Sequence, residues 1–202
     1  MEIEEDKILA AFESAKTDES KKVLADLFGK SIKFKPNLND YRTIKTYEDA
    51  CEALNEEPTL DYISPYLHNT RNSCNIVIHE HIIALMKLET ISRALWGKHF
   101  EPRPDAERTN MYYYPWFVLY TEKEIENMND DDKGALLPAL TYNGAYVGFG
   151  CQRATGRSSH GYADVGFHLC QETYEKAEYF GKQFVELWAD YIAFNFTVGR
   201  RI

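Results

Sequence analysis

The sequence has few cysteines and no long apolar run, and each shortage excludes a class of protein. The four cysteines, Cys51, Cys74, Cys151 and Cys170, form no C-x-x-C pair. So few in a chain of 202 residues do not indicate a disulfide framework, and we interpret them as free, mostly buried thiols. No apolar stretch approaches the roughly 20 residues that a membrane-spanning helix needs, so we expect no membrane partner.

The sequence also lacks an excess of positive charge. Lysine and arginine number 23 against 32 acidic residues, which gives a net charge of -9 at pH 7. Such a chain repels phosphate backbones, so we expect no general nucleic-acid binding. Its first residues, Met1 to Asp6, are acidic, whereas a signal peptide starts with positive charge. We therefore expect an intracellular protein.

Apolar residues are plentiful enough for one core, at 44% of the chain. A turn-rich break between residues 29 and 40 predicts a helical N-terminal arm, or the first helices of the fold, over 1–29 and an α+β domain over 30–202. Helical spacing of apolar residues predicts helices over 4–28, 75–96 and 172–195. A shorter helix is expected after Thr46, which with Asp49 can cap it.

Three strands are expected, over 111–120, 144–151 and 162–170, from their aromatic and β-branched content. Pro115 cannot donate a ladder hydrogen bond, which predicts an edge strand or a bulge at that position. The acidic stretch 122–132 is expected to be a short helix or a loop. The fold class is therefore α+β: a small antiparallel sheet packed against several helices, with a helical N-terminal segment.

The stretch from Gly150 to Gly161 is basic in an acidic protein, and we predict it as a loop between two strands. Its guanidinium groups, hydroxyls and glycines suit an anion cradle. The anion-binding candidates are Arg153, Arg157, Ser158 and His160. A phosphate-binding P-loop needs different spacing and a lysine where Arg157 stands. The alternative is a plain, solvated hairpin loop.

Catalytic and metal-binding patterns are absent from the sequence. His79 and His81 are two residues apart and point to nearly opposite sides of a helix, so they cannot chelate one ion. His168 and Cys170 share a face of a predicted strand, which is ordinary sheet architecture. The sequence has no nucleophile elbow and no dinucleotide fingerprint. We predict no catalytic residue, no metal ligand and no cofactor, and a non-catalytic protein is favoured over an enzyme.

An aromatic run lies between residues 112 and 117. In a strand, Tyr112, Tyr114 and Trp116 face one way and the residues between them face the other. One face belongs to the core, and the other would form an exposed aromatic ladder suited to a protein partner or to stacking a ring. The partner-contact candidates are Tyr112, Tyr114 and Trp116. The alternative is that helices cover both faces.

Several uncommon strings occur in one order between residues 90 and 192. They are Ile91-Ser92-Arg93-Ala94-Leu95-Trp96, Tyr-Tyr-Pro-Trp-Phe at 113–117, Gly-Phe-Gly at 148–150, Leu169-Cys170, and the run from Ala177 to Phe184. Together they resemble an uncharacterised protein family of phages and prophages of gut Bacteroides-type bacteria, including crAss-like phages. The resemblance implies a phage or mobile-element origin and an α+β module, without a named activity. The family pattern before Leu169 reads Gly-Ser-Arg, whereas this chain has Gly166-Phe167-His168.

Two functions are compatible with these features. The first is a non-catalytic phage or mobile-element protein that acts through protein–protein interaction, as a virion or assembly component or as an inhibitor of a host system. It would bind a protein partner or form a homo-oligomer, in the cytoplasm of the bacterial host cell or in the virion. The second is a small-molecule or anion-binding protein or enzyme that uses residues 150–161. The sequence indicates neither the partner nor a substrate.

Overall fold

A computed structural model of the chain contains two compact units, Met1–Lys35 and Pro36–Ile202. The described positions of the first unit lie between 11 and 27, and most of them are helical, in agreement with the helix predicted there; the other residues of this unit lie outside the described part of the chain. In the second unit, the structure describes position 107 and the ranges 36–58, 80–97, 99–103, 109–141, 143–158, 167–192 and 196–199.

The second unit begins with a 3₁₀ turn, Tyr41–Thr43, followed by helix α1, Tyr47–Leu54. A capping box starts this helix: the Asp49 N–H donates to the Thr46 hydroxyl, and the Thr46 N–H donates to the Asp49 carboxylate at 2.9 Å. This confirms the cap predicted from the sequence. Asn55 ends α1 in the left-handed conformation, with φ of 57°.

Helix α2, Glu80–Trp96, is the described part of the helix predicted over 75–96. Its apolar side, including Leu88, Ile91 and Leu95, is fully buried in the main core. Gly97 follows with φ of +114°, a conformation that residues with a side chain rarely adopt. The helix therefore ends where the glycine predicts.

Strands β1 (Met111–Thr121), β2 (Leu137–Thr141), β3 (Tyr146–Ser158) and β4 (Phe196–Val198) form one antiparallel sheet in the order β1-β3-β2-β4. Strand β1 lies at the edge and contains Pro115. The ladder between β1 and β3 carries a bulge one residue later, where Gln152 is the extra residue. The edge position predicted from the proline is confirmed, whereas Pro115 itself pairs regularly with Ala154.

Two short helices connect β1 to β2. Helix α3 is Glu122–Glu126 and helix α4 is Asp130–Gly134. Thr121 caps α3 and Asn129 caps α4, each accepting a hydrogen bond from a backbone N–H of the first turn. The acidic stretch 122–132, expected to be a short helix or a loop, therefore holds parts of two short helices joined by non-helical residues 127–129.

The structure corrects the prediction of a loop over 150–161. Strand β3 continues to Ser158, which lies opposite Met111 at the start of β1. Glycine, serine and arginine favour a loop locally, but the long β1 strand supplies ladder partners as far as residue 158, and this pairing overrides composition. Residues 159–161 lie outside the described part of the chain.

The predicted strand over 162–170 is also wrong where the structure describes it. Phe167–Leu169 form a 3₁₀ turn, and the described residues that follow join the sheet by a single bridge between Gln171 and Tyr113. The Gln171 side-chain amide donates to the Ser92 hydroxyl at 2.9 Å, which holds this segment against α2. Residues 162–166 lie outside the described ranges.

Two helices stand where one was predicted over 172–195. Helix α5 is Tyr174–Gln183 and helix α6 is Val185–Ile192. The break is at Phe184, whose ψ of 28° is not helical and whose side chain is buried in the core. The bend places the apolar residues of both helices against the core.

The core lies between these helices and one face of the sheet. The Trp188 ring of α6 contacts the rings of Phe117 and Phe180 at centroid distances of 5.1 and 5.0 Å. Phe117 in turn stacks on Phe149 of β3 at 5.4 Å. We call this side of the sheet, which carries Phe117, Phe149 and Cys151, the helix face.

Candidate interaction surface

The opposite side of the sheet is less covered. Successive residues of a strand point to opposite faces, so Gly148 and Gly150 lie on the side away from Phe149. Tyr146 shares their side and is 79% exposed. Leu140 pairs directly with Tyr146 and is also exposed. We call the side that carries these residues the open face.

The segment with α3 and α4 covers part of the open face. Its side chains Ile125 and Leu136 pack where β3 has glycine: a Cβ at Gly150 would lie 2.4 Å from Leu136 Cδ2, and one at Gly148 would lie 2.9 Å from Ile125 Cδ1. Beside this contact lies a groove of about 470 Å³. The apolar residues that line the groove include Ile125, Leu136, Pro138, Tyr146, Val147 and Gly148.

Acidic side chains border the groove. Glu122 and Glu126 line it, and neither carboxylate has a hydrogen-bond or ion-pair partner among the described residues. Glu124 is engaged elsewhere, because its carboxylate accepts from the Thr121 N–H at 2.8 Å and from the Thr121 hydroxyl, which lowers the pKa of Glu124. Lys133 is the cation at the groove, and its Nζ donates to the Glu126 carbonyl at 3.3 Å. Two carboxylates therefore face one ammonium group.

The three aromatic candidates for partner contact separate in the structure. Tyr112 and Tyr114 are 7% and 5% exposed, because the end of α2 and the second 3₁₀ turn cover them. The Tyr112 ring lies 5.8 Å from the rings of both Trp96 and Phe167. These two tyrosines therefore do not belong to an exposed ladder. Trp116 is 43% exposed and lies on the open face by its register in β1.

Strand β3 holds three of the anion-binding candidates, and His160 lies outside the described residues. Arg153 is exposed and lies opposite Trp116. At about 3.3 Å per residue, the backbone positions of Arg153 and Arg157 are about 13 Å apart. An extended strand directs its amides alternately to its two edges, so residues 153–158 do not form the concave nest of amides that cradles an anion. The backbone around Arg157 and Ser158 is sheet ladder.

A second cavity, of about 480 Å³, lies between the first 3₁₀ turn, α4 and α5. Its charged lining residues are Arg42, Asp131, Glu175, Glu178 and Lys182. The Lys182 ammonium lies 3.1 Å from the Glu178 carboxylate. The cavity therefore mixes both signs of charge, with acids in the majority, and does not concentrate positive charge for an anion.

The buried cysteines do not form nucleophilic sites. Burial raises the pKa of Cys151 to about 11 and that of Cys170 to about 12, so both are neutral thiols near pH 7. His168 is exposed, with its Nδ1 3.4 Å from a Glu89 carboxylate oxygen. Across the described ranges, no three acidic, histidine or cysteine side chains gather as a metal site would require. His79 lies outside those ranges.

The groove is a candidate site that the sequence did not predict. The alternating glycines Gly148 and Gly150 in a strand are the signal that could have found it, since glycine in a strand marks a close approach by another segment. Ile125 and Leu136 stand on either side of the acidic residues 130–132 and are the apolar partners of that approach.

Comparisons with protein families, with curated proteins and with solved structures give no match to this chain. In the part of the chain that the structure describes, no helix has the length and apolarity to cross a membrane.

Proposed function

We propose that this chain is a non-catalytic interaction protein that binds a protein partner through the open face. The observation that carries the proposal is the groove beside Tyr146, whose side chain is 79% exposed. Exposed apolar side chains gathered beside a concave surface are typical of interaction sites. Tyrosine suits such a site because it offers an apolar ring with a polar tip.

The surface extends beyond the groove across the sheet. Leu140 in β2 is 39% exposed, and Trp116 in β1 is 43% exposed on the same face. Tryptophan and tyrosine are enriched among the residues that contribute most to binding energy at protein interfaces. The open face therefore offers a partner several large side chains held on a rigid sheet.

The resemblance of residues 90–192 to a family of Bacteroides-type phages supports a role in a phage or mobile element. We propose a virion or assembly component or an inhibitor of a host system, acting in the host cytoplasm or in the virion. Native mass spectrometry of the untagged protein from cells that carry the element tests this. A stable complex with a phage or host protein supports the proposal, whereas a monomer throughout infection contradicts it.

Anion binding is the second candidate function, and the exposure of Arg153 beside Trp116 is the observation that favours it. The separation of Arg153 from Arg157 along the strand makes one shared small anion a poorer fit. The same mass spectra test the alternative. A bound small anion that disappears in both Arg153→Ala and Arg157→Ala would support it.

Site-specific photocrosslinking tests the proposed surface directly. We would place a benzophenone side chain at Tyr146 and, as a matched control, at Tyr174, a 39% exposed tyrosine at the start of α5. Crosslinks in the native cell are expected from position 146 to one defined protein and not from position 174. The product should disappear when Leu140→Asp places a charge on the open face.

Equal crosslinking from the two positions would contradict the proposal, because it would indicate random collision. Crosslinks from position 146 that persist in the Leu140→Asp variant would also contradict it, since Leu140 pairs with Tyr146 on the same face. Thermal denaturation of each variant confirms that the fold is intact.

A further inference from the structure

We infer that the groove receives a positively charged segment of the partner protein, in which an apolar side chain is flanked by lysine or arginine. This inference rests on the proposed function and adds the chemistry of the bound segment. It combines two features of the groove: an apolar lining that includes Ile125, Leu136 and Tyr146, and two bordering glutamates whose carboxylates have no partner among the described residues.

The segment of α3 and α4, whose residues Glu122, Glu126 and Lys133 line the groove, is strongly acidic. Residues 122–133 contain six acidic residues and two lysines, so twelve residues supply nearly half of the net charge of -9. Glu122 and Glu126, one helical turn apart in α3, both face the groove and lack a partner among the described residues. A cation on the partner would meet these carboxylates within a Debye length, about 8–10 Å at moderate salt.

The apolar lining indicates that the bound segment carries an apolar residue beside its cations. A groove of about 470 Å³ falls in the range of roughly 300–1,000 Å³ that accommodates a small ligand. It can hold one or two large side chains but not a folded domain. The fitting occupant is therefore a short segment that inserts an apolar residue against Ile125 and Leu136 and places its cations at Glu122 and Glu126.

Matched double variants test the charge requirement. Glu122→Lys with Glu126→Lys reverses the border of the groove. Glu48→Lys with Glu52→Lys makes the same change in net charge on α1, where both glutamates are exposed and one turn apart. If the partner segment is attracted only by the overall negative charge, its binding should weaken equally in the two double variants. If it binds at the groove, its binding should weaken in the groove variant and stay unchanged in the α1 variant.

The probes are two short fluorescent peptides. In the first, a central phenylalanine is flanked by leucine and lysine residues. In the second, glutamate replaces each lysine. Fluorescence anisotropy with the full chain should give at least tenfold tighter binding of the lysine peptide. This preference should vanish in the groove variant and persist in the α1 variant. Tyr146→Thr should weaken binding of the lysine peptide without changing its salt dependence.

Three results would overturn the inference: no measurable binding of either peptide, equal affinity for both, or an equal loss of preference in the two double variants. The proposed function is tested by a different experiment: it is contradicted if photocrosslinking at Tyr146 gives no defined partner. A crosslinked partner whose binding is indifferent to Glu122→Lys with Glu126→Lys would therefore leave the interaction function standing and remove the charge requirement.

Discussion

The helix face and the open face are built from alternate residues of the same strands, yet they are covered differently. On the helix face, Phe149 is 2% exposed and packs with the core residues Val185 and Ala189 of α6. On the open face, Tyr146, three residues earlier in the same strand, is 79% exposed. An antiparallel sheet is stable with one face buried, so the other face is available to a partner.

On each face of the sheet, a neighbouring segment packs closely at a glycine, but the atoms that contact the glycine differ. On the helix face the glycine is Gly181 of α5, where an added Cβ would lie 2.4 Å from Cys151 Sγ and 2.6 Å from Pro115 Cβ. On the open face the glycine is Gly150, where the nearest atom is the end of the Leu136 side chain. The first contact involves atoms fixed close to the backbone, and the second involves a side chain that can rotate.

Removal of the largest side chain on the helix face should give the largest effect on stability. Trp188 is 1% exposed and contacts Phe117 and Phe180, so Trp188→Ala leaves a cavity in the core. We expect a loss of about 3–5 kcal/mol in the free energy of unfolding, measured by urea denaturation. Trp116→Ala on the open face is the control and should cost less than about 1 kcal/mol. Equal losses would show that the two faces contribute equally to the fold.

A pair of glycine substitutions compares the two approaches. Gly181→Ala gains helix propensity but forces α5 away from Cys151 and Pro115, and we expect a net loss of about 1–3 kcal/mol by urea denaturation. Gly150→Ala should cost less, because Leu136 can adopt another rotamer. The interpretation of a rigid helix face is wrong if Gly150→Ala is the more damaging of the two.

Much of the fold could be predicted from the sequence, because many of its features depend on local patterns. The capping box at Thr46, the end of α2 at Gly97 and the edge position of Pro115 all follow from chemistry within a few residues. Strand β2 was missed, since Pro138 weakens its strand signal. The Asn143-Gly144 pair, with φ of +83° at Gly144, marks the turn that joins it to β3.

The candidate site was less predictable, because it depends on pairing between distant segments. Composition favours a loop after Gly150, and only the register with β1 makes this stretch a strand. Trp116 was identified correctly as an exposed aromatic residue, but Tyr112 is covered by Trp96 and Phe167, which the strand pattern alone cannot show. The groove requires Leu136 to lie over Gly150, a contact between segments that no local pattern contains.

Alkaline pH should weaken the helix face through its buried thiol. Burial raises the pKa of Cys151 from 9.0 to about 11, so the folded state holds this proton more tightly than the unfolded chain. The stability from this group is complete below pH 9 and is lost as the pH rises toward 11. At pH 10 the loss is about 1.4 kcal/mol. Urea denaturation at pH 8 and pH 10 should show this fall, and it should shrink by about that amount in Cys151→Ala.

Cys170, with its pKa raised to about 12, adds a similar loss over the same range, so Cys151→Ala should reduce the fall without removing it. An identical pH dependence in the wild type and in Cys151→Ala would contradict the assignment of this thiol to the buried helix face.

The smallest effect on stability is expected at the most exposed residue of the open face. Tyr146→Thr keeps a residue that favours strands and removes only a ring that is 79% exposed, so the free energy of unfolding should change by less than about 0.5 kcal/mol. Urea denaturation measures this change, and the affinity for the crosslinked partner should fall in the same variant. A loss of stability above about 1 kcal/mol would mean that the ring supports the sheet through its pairing with Leu140. The open face would then belong to the structural core, and its exposed tyrosine would no longer indicate a partner.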